Sequence, residues 1–287
     1  MESFPPFVLQ ATETRNMTPD YVDQEFQISI ALPKSYASGD AANKKYPTIY
    51  LLDGNLCFGM VTEMTRTMAL CGSIPEVIVV GIGYSIDNSV DQFETSFSQV
   101  MGTRARDLTP VSDKKWEREQ REKRSLDTIV SGEAASFIRF MKEDLIPTIE
   151  SDYRAASSRR IIAGHSLGGL FVLYALFQNT DLFRGYVASS PSIWFGDKAI
   201  FAIEENHLQN EHDLLANLFL SVGEKEERKE TGMVSNLARF SALLESREYA
   251  GLRLKSQIFN DLNHCESLAP GLVWGLKFVF SMDAPAS

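Results

Sequence analysis

Cysteine, histidine and long apolar runs are all scarce in this chain of 287 residues. Its three cysteines, Cys57, Cys71 and Cys265, are odd in number and form no C-x-x-C pair, so they indicate neither a disulfide framework nor a zinc site. The start, MESFPPFVLQ, lacks the basic and apolar regions of a signal peptide, and no apolar run approaches the roughly 18 residues that cross a bilayer. We therefore expect a soluble, cytoplasmic protein with no membrane partner and no bound metal or other cofactor.

Basic residues are also fewer than acidic residues in this chain. The chain has 28 Lys and Arg against 38 Asp and Glu, a formal net charge of −10, and it contains no long basic block. A field of this sign repels polyanions, which argues against a nucleic-acid partner and leaves a small molecule as the expected partner. Composition leaves the oligomeric state open.

The apolar residues occur mainly in short runs that are typical of buried strands. Hydrophobic residues make up 44% of the sequence, and the length fits one large domain over residues 1–287. The β-rich runs lie at 26–32, 48–52, 77–82, 160–163, 185–188, 218–222 and 254–259. Longer helical stretches separate them, which predicts an α/β protein with a mostly parallel central sheet and helices on both faces. The residues before 26 are candidates for an additional antiparallel edge strand.

Helical periodicity is clearest at 134–151, 167–178, 236–245 and 266–280. Pro147 is expected to kink or shift the first of these helices. The segment 86–130 departs from the alternation, because it has no clear strand and contains the charged run 113–124. A connection of this length predicts an irregular insertion, such as a lid or a binding loop.

The strongest local motif is GHSLGG at 164–169, which places Ser166 between a β-rich run and an apolar helix. In a nucleophile elbow the serine occupies a strained strand-to-helix turn, and glycines on either side let the strand and the helix approach closely. The turn exposes the serine hydroxyl and leaves the amide of Leu167 at the helix N-terminus, facing a developing oxyanion. We predict Ser166 as a catalytic nucleophile and Leu167 as an oxyanion-hole residue.

A serine hydroxyl needs a neighbouring base, and the chain offers four histidines. His165 adjoins Ser166, so its side chain is expected to project away from the hydroxyl and pack in the core. His207 and His212 lie five residues apart in a polar stretch and are expected on a solvated surface. His264 follows the last predicted strand and precedes the last helix, and we predict it as the general base.

In the chain order Ser, acid, His, the acid follows a strand between residues 166 and 264. The run at 218–222 leads into GEKEE, which offers Glu224, Glu226 and Glu227. We favour Glu226 and leave the other two open, with plain surface charge as the alternative for each. The acid would hold His264 in the correct tautomer and stabilise its imidazolium form.

A second oxyanion donor is expected from the turn after the strand at 48–52. Gly54 and Asn55 allow a sharp turn beside the elbow, and the backbone amide of Asn55 is the predicted donor, with its side chain as a further candidate. An ordinary Asp-Gly turn is the alternative. Trp194 follows the strand at 185–188, where ligands bind in open sheets, so it is expected either to wall the substrate pocket or to cap the core.

Basic side chains stand out within the insertion of this acidic chain. Arg104 and Arg106 precede DLTP, and the run 113–124 holds six basic and four acidic residues. We expect Arg106 to contact anionic or strongly polar groups of a substrate. A solvated, mobile loop is the alternative.

Several blocks together resemble a known family. YPTIYLLDGN, RARDLTP, FIRFMKEDLIPTIESDYR, GHSLGGLFVLYAL, SPSIWF and VGEKEE occur in this order, followed by Asn263-His264. The chain thus resembles the "putative esterase" branch of the α/β-hydrolases, which includes siderophore esterases of the enterobactin type, feruloyl esterases and S-formylglutathione hydrolase.

The combination of LLDG, R-x-x-D-x-T-P and S-P-S-x-W is most similar to the siderophore esterases. The resemblance implies the α/β-hydrolase fold and a serine esterase that cleaves a carboxylic ester, such as a polar, aromatic or catecholate-type ester or lactone. It also implies roles for Ser166, His264, the amide of Leu167 and the turn at Gly54 and Asn55, with Arg106 near the substrate. The acid stays open, since members with a siderophore-like pocket can work with an imperfect third residue. The substrate stays open as well, since relatives with these motifs hydrolyse unrelated esters.

Rival functions make different demands on the same residues. Gly81 and Gly83 after a strand suggest dinucleotide binding, but Ile86 stands where the third glycine of G-x-G-x-x-G belongs. An acyltransferase would use the same triad in a site that excludes water. A non-catalytic binding module would tolerate loss of Ser166 or His264, yet both are present.

Overall fold

A computed structural model of the chain describes residues 7–22, 24–85, 93–124, 128–178 and 181–281. Within these residues, eight strands form one sheet: β1 (Thr12–Met17), β2 (Phe26–Ala31), β3 (Tyr46–Leu51), β4 (Ile78–Tyr84), β5 (Ala155–His165), β6 (Gly185–Ser189), β7 (Asn217–Gly223) and β8 (Arg253–Phe259). The spatial order is β1-β2-β4-β3-β5-β6-β7-β8. The pairs β1–β2 and β2–β4 are antiparallel, and every other neighbouring pair is parallel. The mostly parallel sheet and the antiparallel edge strand are both confirmed.

Helices cover both faces of this sheet. They are α1 (Gly54–Leu70), α2 (Phe93–Leu108), α3 (Lys114–Arg124), α4 (Ala134–Phe140), α5 (Ile146–Asp152), α6 (Leu167–Gln178), α7 (Phe195–Asn210), α8 (Met233–Ser246) and α9 (Leu268–Phe280). One core cluster joins Val61 of α1 and Leu272 of α9 to Ile49 of β3. The other joins α6 and α8 to Tyr50 of β3, because neighbouring residues of a strand point to opposite faces. The predicted α/β architecture is therefore confirmed.

The segment 86–130 is more regular than the sequence indicated. Residues 86–92 and 125–127 lie outside the described part, but α2 and α3 occupy most of the rest, so the prediction of an irregular stretch is wrong there. The charged run forms α3, whose Glu117 is buried and accepts hydrogen bonds from the amide and the hydroxyl of Ser131. A helix this polar has too little apolar periodicity to be recognised from sequence.

Pro147 produces a local change in helix geometry. The stretch from Ala134 to Asp152 stays helical, but Met141–Leu145 form a π-helical turn between α4 and α5. Proline has no amide proton and its ring displaces the preceding turn, so a wider turn accommodates it without ending the helix. No helix in the described ranges has the length and apolar character needed to span a membrane.

Candidate active site

Ser166 occupies a sharp turn between the end of β5 and the start of α6. Its φ angle is +61°, in the left-handed region that non-glycine residues rarely adopt. A Cβ at Gly164 would lie 2.6 Å from the backbone of Gly168, so glycine is needed for α6 to pack this closely on β5. The strain and the close approach are both features of a nucleophile elbow.

His264 and Glu226 meet at the same edge of the sheet. Glu226 ends a short 3₁₀ turn directly after β7, and His264 lies in the loop after β8. Because β7 and β8 are parallel neighbours, both loops leave from their carboxyl ends. The Nδ1 atom of His264 lies 2.5 Å from Oε2 of Glu226, which leaves Nε2 as the outward atom of the imidazole.

The other two candidate acids have different partners. Glu224 accepts a hydrogen bond from the amide of Asp261 at 2.9 Å. Glu227 accepts from the amides of Val234 and Ser235 at the start of α8, as an acidic side chain does at a helix N-terminus. Of the three carboxylates in GEKEE, Glu226 is therefore the one that contacts the imidazole.

Glu226 is 4% exposed and accepts four hydrogen bonds. His264 contacts Oε2, while the hydroxyls of Ser190 and Ser267 and the amide of Gly223 contact Oε1 at 2.7, 2.8 and 2.7 Å. Burial by itself would raise the pKa of Glu226, but these hydrogen bonds stabilise its charged form and lower the pKa to about 2. The carboxylate is thus ionised at neutral pH and suited to orient an imidazole.

His165 packs against the imidazole of His264. The ring centroids are 4.5 Å apart, and Nδ1 of His165 lies 3.0 Å from Oγ of Ser189. Burial, with a smaller effect from His264, lowers the pKa of His165 to about 3. The ring is therefore neutral at physiological pH and adds no positive charge beside His264. The sequence predicted its packing role but not this contact.

The hydroxyl of Ser166 has a neighbour that sequence reasoning did not single out. Its Oγ lies 3.5 Å from Oγ of Ser192, and the amide of Ser192 donates to the carbonyl of Ser166 at 3.0 Å. Within the described residues, this is the one side-chain hydrogen bond found for Ser166 Oγ, so no direct bond to His264 is formed. Catalytic hydrogen bonds are often long in unliganded enzymes and tighten when substrate binds. The ring of His165, the residue immediately before Ser166, nevertheless packs in a tilted arrangement against the imidazole of His264 and brings it beside the elbow.

Two helix N-termini converge beside Ser166. Leu167 begins α6, and Gly54 and Asn55 begin α1, which follows β3, the parallel neighbour of β5. The first amides of a helix have no intrahelical acceptor and carry its positive dipole end. This arrangement is suited to an oxyanion, although the side chain of Asn55 is already engaged: it donates to the carbonyl of Tyr84 at 2.9 Å and accepts from its amide at 2.7 Å.

The close packing of α1 on β4 explains the two glycines, Gly81 and Gly83, that suggested a dinucleotide site. A Cβ at Gly83 would collide with the side-chain oxygen of Asn55, and one at Gly81 would lie 2.8 Å from the ring of Phe58. Both glycines let the first turns of α1 approach β4 closely. Their role in this chain is packing beneath the turn at Asn55.

A buried ion pair holds that turn from the other side. Nε and Nη2 of Arg104, in α2, donate to the two carboxylate oxygens of Asp53 at 2.6 and 2.7 Å, and both side chains are 5% exposed. Burial would lower the pKa of Arg104, but the Asp53 charge outweighs this and raises it. Asp53 itself has a φ of +56° and precedes α1. The sequence drew attention to Arg104 only as a basic residue, because its partner is 51 positions away.

Arg106 and Trp194 lie in segments near this edge of the sheet. Arg106 donates to both carboxylate oxygens of Asp107 at 2.7 and 3.0 Å, and its side chain is 21% exposed. Trp194 is half-buried and its ring centroid is 5.9 Å from that of Phe195, which packs on Trp116 of α3. The insertion therefore lies against the loop that carries Trp194.

The sequence matches the family described as "Putative esterase" over residues 20–107 and 95–264. It is also 32% identical to the ferri-bacillibactin esterase BesA of Bacillus subtilis, over 97% of this chain and 93% of that protein. The chain belongs to the putative esterase family. This family member is a carboxylic ester hydrolase with the α/β-hydrolase fold.

A further relative and a solved structure are also similar to this putative esterase. It is 29% identical to the siderophore enterobactin esterase of Emericella nidulans, over 91% of each chain. The siderophore hydrolase EstA from Aspergillus nidulans superposes with a TM-score of 0.81 at 26% identity, over 99% of each chain. The resemblance to siderophore esterases is thereby confirmed at the level of the family and the fold. These relatives give no support to an acyltransferase or a non-catalytic binding module.

Proposed function

We propose that this esterase hydrolyses siderophore esters through an acyl-enzyme intermediate, with Ser166, His264 and Glu226 as its catalytic triad. The observation that carries the proposal is the contact between His264 Nδ1 and the buried Glu226 carboxylate beside the elbow. A carboxylate bound at Nδ1 selects the tautomer with a free Nε2, which is the atom that takes a proton from a serine. The proposed site lies at the carboxyl edge of the parallel strands.

In the proposed mechanism, His264 removes the proton of Ser166 as Oγ attacks the ester carbonyl. Negative charge then develops on the carbonyl oxygen, and the amides of Leu167 and Asn55 are the proposed donors to it, with Gly54 forming the turn. His264 returns the proton to the departing alcohol. Water next attacks the acyl-serine with the same base, which releases the acid and the free hydroxyl. One oxyanion donor contributes about 2.7–4 kcal/mol to lowering such a barrier.

The substrate part of the proposal comes from the named relatives. One is a ferri-bacillibactin esterase and another an enterobactin esterase, and each aligns with more than nine tenths of this chain. We extend this substrate class to the present protein, with Arg106 as a contact for anionic groups and Trp194 as a wall of the pocket. A cytoplasmic location is part of the same proposal.

A fluorophosphonate reagent should test the mechanism and the substrate together. We expect one adduct per chain, located on Ser166 by peptide mass spectrometry. Labelling should abolish the hydrolysis of enterobactin, bacillibactin and a short-chain aryl ester in parallel, because all three would use one nucleophile.

Two outcomes would contradict this proposal in different ways. An unlabelled Ser166 in folded protein, or full activity after labelling, would exclude the mechanism. The substrate class would be wrong if the unlabelled enzyme had a higher kcat/KM for feruloyl esters or thioesters than for either siderophore.

Replacing Arg106 by alanine should raise KM for anionic esters roughly fivefold, or about 1 kcal/mol, and leave KM for neutral esters unchanged. The effect is small because Asp107 already neutralises part of the charge of Arg106. Steady-state kinetics on an anionic and a neutral ester with the same alcohol would measure it.

The Arg106 variant needs two controls. Arg121→Ala removes an exposed arginine of the same segment and should change neither KM. The double variant Arg106→Ala/Asp107→Asn avoids a buried, unpaired carboxylate. Equal KM values for both esters in that double variant and in the wild type would exclude a substrate contact.

A further inference from the structure

Two buried serines from distant parts of the chain meet at Glu226. Ser190 directly follows β6, Ser267 directly precedes α9, and both are 0% exposed. Their hydroxyls lie 2.7 and 2.8 Å from Oε1 of Glu226 and 2.9 Å from each other. We call Ser190, Ser267 and the amide of Gly223, which also donates to Oε1, the serine clamp.

The two hydroxyl protons have few acceptors to choose from. Ser190 can donate to Glu226 or to Ser267, and Ser267 can donate to Glu226, to Ser190 or to the carbonyl of His264 at 3.0 Å. An ionised carboxylate is the strongest of these acceptors, because hydrogen bonds to charged groups are about twice as strong as neutral ones. Two hydroxyl donors and one amide donor therefore point at one oxygen.

The backbone at Ser190 shows that this position is under constraint. Its φ is +42°, which costs free energy for any residue with a Cβ, and a glycine would adopt it without strain. The amide of Ser190 donates to the carbonyl of Ser221 at 2.7 Å, which fixes this conformation. The conformation directs the hydroxyl to Glu226, a function that glycine would not supply.

The two carboxylate oxygens of Glu226 have different partners. All three donors of the serine clamp contact Oε1, whereas His264 contacts Oε2. Holding a glutamate side chain in one position costs more conformational entropy than holding an aspartate side chain. With Oε1 fixed, the plane of the carboxylate is fixed, and Oε2 remains directed at Nδ1 of His264.

We propose that Ser190 and Ser267 are positioning residues for the reaction, which act by holding Glu226 so that its second oxygen orients His264. This inference rests on the proposed function, in which Glu226 is the triad acid. Neither serine is expected to touch the substrate, since both are buried behind the carboxylate.

The expected signature is a loss in kcat without a change in KM. Ser190→Ala and Ser267→Ala should each lower kcat roughly tenfold, the effect of losing one hydrogen bond to a charged group, and the double variant should lose more than either. Ser241→Ala is the matched control, because Ser241 is another buried serine but lies on α8 without a side-chain partner in the described residues. It should keep the wild-type kcat.

A spectroscopic measurement separates positioning from a general loss of stability. The proton between His264 Nδ1 and Glu226 should give a downfield resonance in the wild type and in Ser241→Ala. The resonance should broaden or shift in both clamp variants, and it should disappear in Glu226→Gln. Ser190→Gly also relieves the backbone strain, so it should be at least as stable as Ser190→Ala and equally slow.

The results distinguish the clamp from the function on which it rests. If Ser190→Ala and Ser267→Ala keep the wild-type kcat and resonance while Glu226→Gln is inactive, the clamp is excluded and the triad stands. If Glu226→Gln and His264→Ala are both fully active, the proposed function itself fails. A fall in kcat with an unchanged resonance would also exclude positioning through His264.

Discussion

Replacing Ser166 by alanine is expected to lower kcat by a factor of about 10⁶, the loss seen when a serine hydrolase loses its nucleophile. The variant retains the oxyanion donors and the binding site, so a residual acceleration of roughly 10³–10⁴ over water should remain. The test is the turnover of an aryl ester, measured at a protein concentration high enough to detect this residual activity. KM should change little, because Oγ contributes to the transition state more than to substrate binding.

The strained turn provides a control for this variant. Ser166 has a φ of +61°, so alanine keeps the strain and glycine relieves it. Ser166→Gly should be as inactive as Ser166→Ala but more stable by about 1 kcal/mol in the free energy of unfolding. Activity in either variant within tenfold of the wild type would exclude Ser166 as the nucleophile.

Replacing His264 by alanine should reduce kcat by a similar factor of about 10⁶, since the nucleophile and its base act as one unit. For the same reason the double variant Ser166→Ala/His264→Ala should be no slower than either single variant. Glu226→Gln should lose less, roughly 10⁴-fold, because the base is still present but no longer held in the right tautomer. Steady-state kinetics of the wild type, the three single variants and the double variant on one ester would measure these losses in kcat.

His212→Ala is the matched histidine control, since His212 is exposed and lies outside the site. It should keep the wild-type kcat. Losses that multiply in the double variant would mean that Ser166 and His264 act independently, which contradicts a shared proton transfer.

The sequence was informative where a function depends on neighbouring residues. The elbow at Ser166 is specified by glycines within a few positions, and the strands follow from short apolar runs, so both the architecture and the turn could be predicted. Helix α1 was not delimited, because its buried face includes Thr62 and Thr65 and lacks a continuous apolar stripe. Helix α3 was not predicted, because its high polarity leaves no apolar periodicity to indicate a helix.

Contacts between distant loops could not be predicted. Glu224, Glu226 and Glu227 have similar local sequence, and only the path of the loop after β8 brings His264 to one of them. The pairs Asp53–Arg104 and Ser190–Ser267 are separated by 51 and 77 residues. Serine and arginine have no periodic signature, so nothing in the local pattern marks these partners.

The ion pair between Asp53 and Arg104 has a consequence for engineering new substrate range. Exchanging the whole insertion with that of another esterase would remove the guanidinium and leave the Asp53 carboxylate buried beside Gly168, where a Cβ would lie 3.1 Å from it. Leaving such a charge without its partner costs about 3–5 kcal/mol. Chimeras should therefore be spliced after Leu108, or should keep an arginine at position 104, so that the specificity of the enzyme can be changed while the turn at Asn55 stays in place.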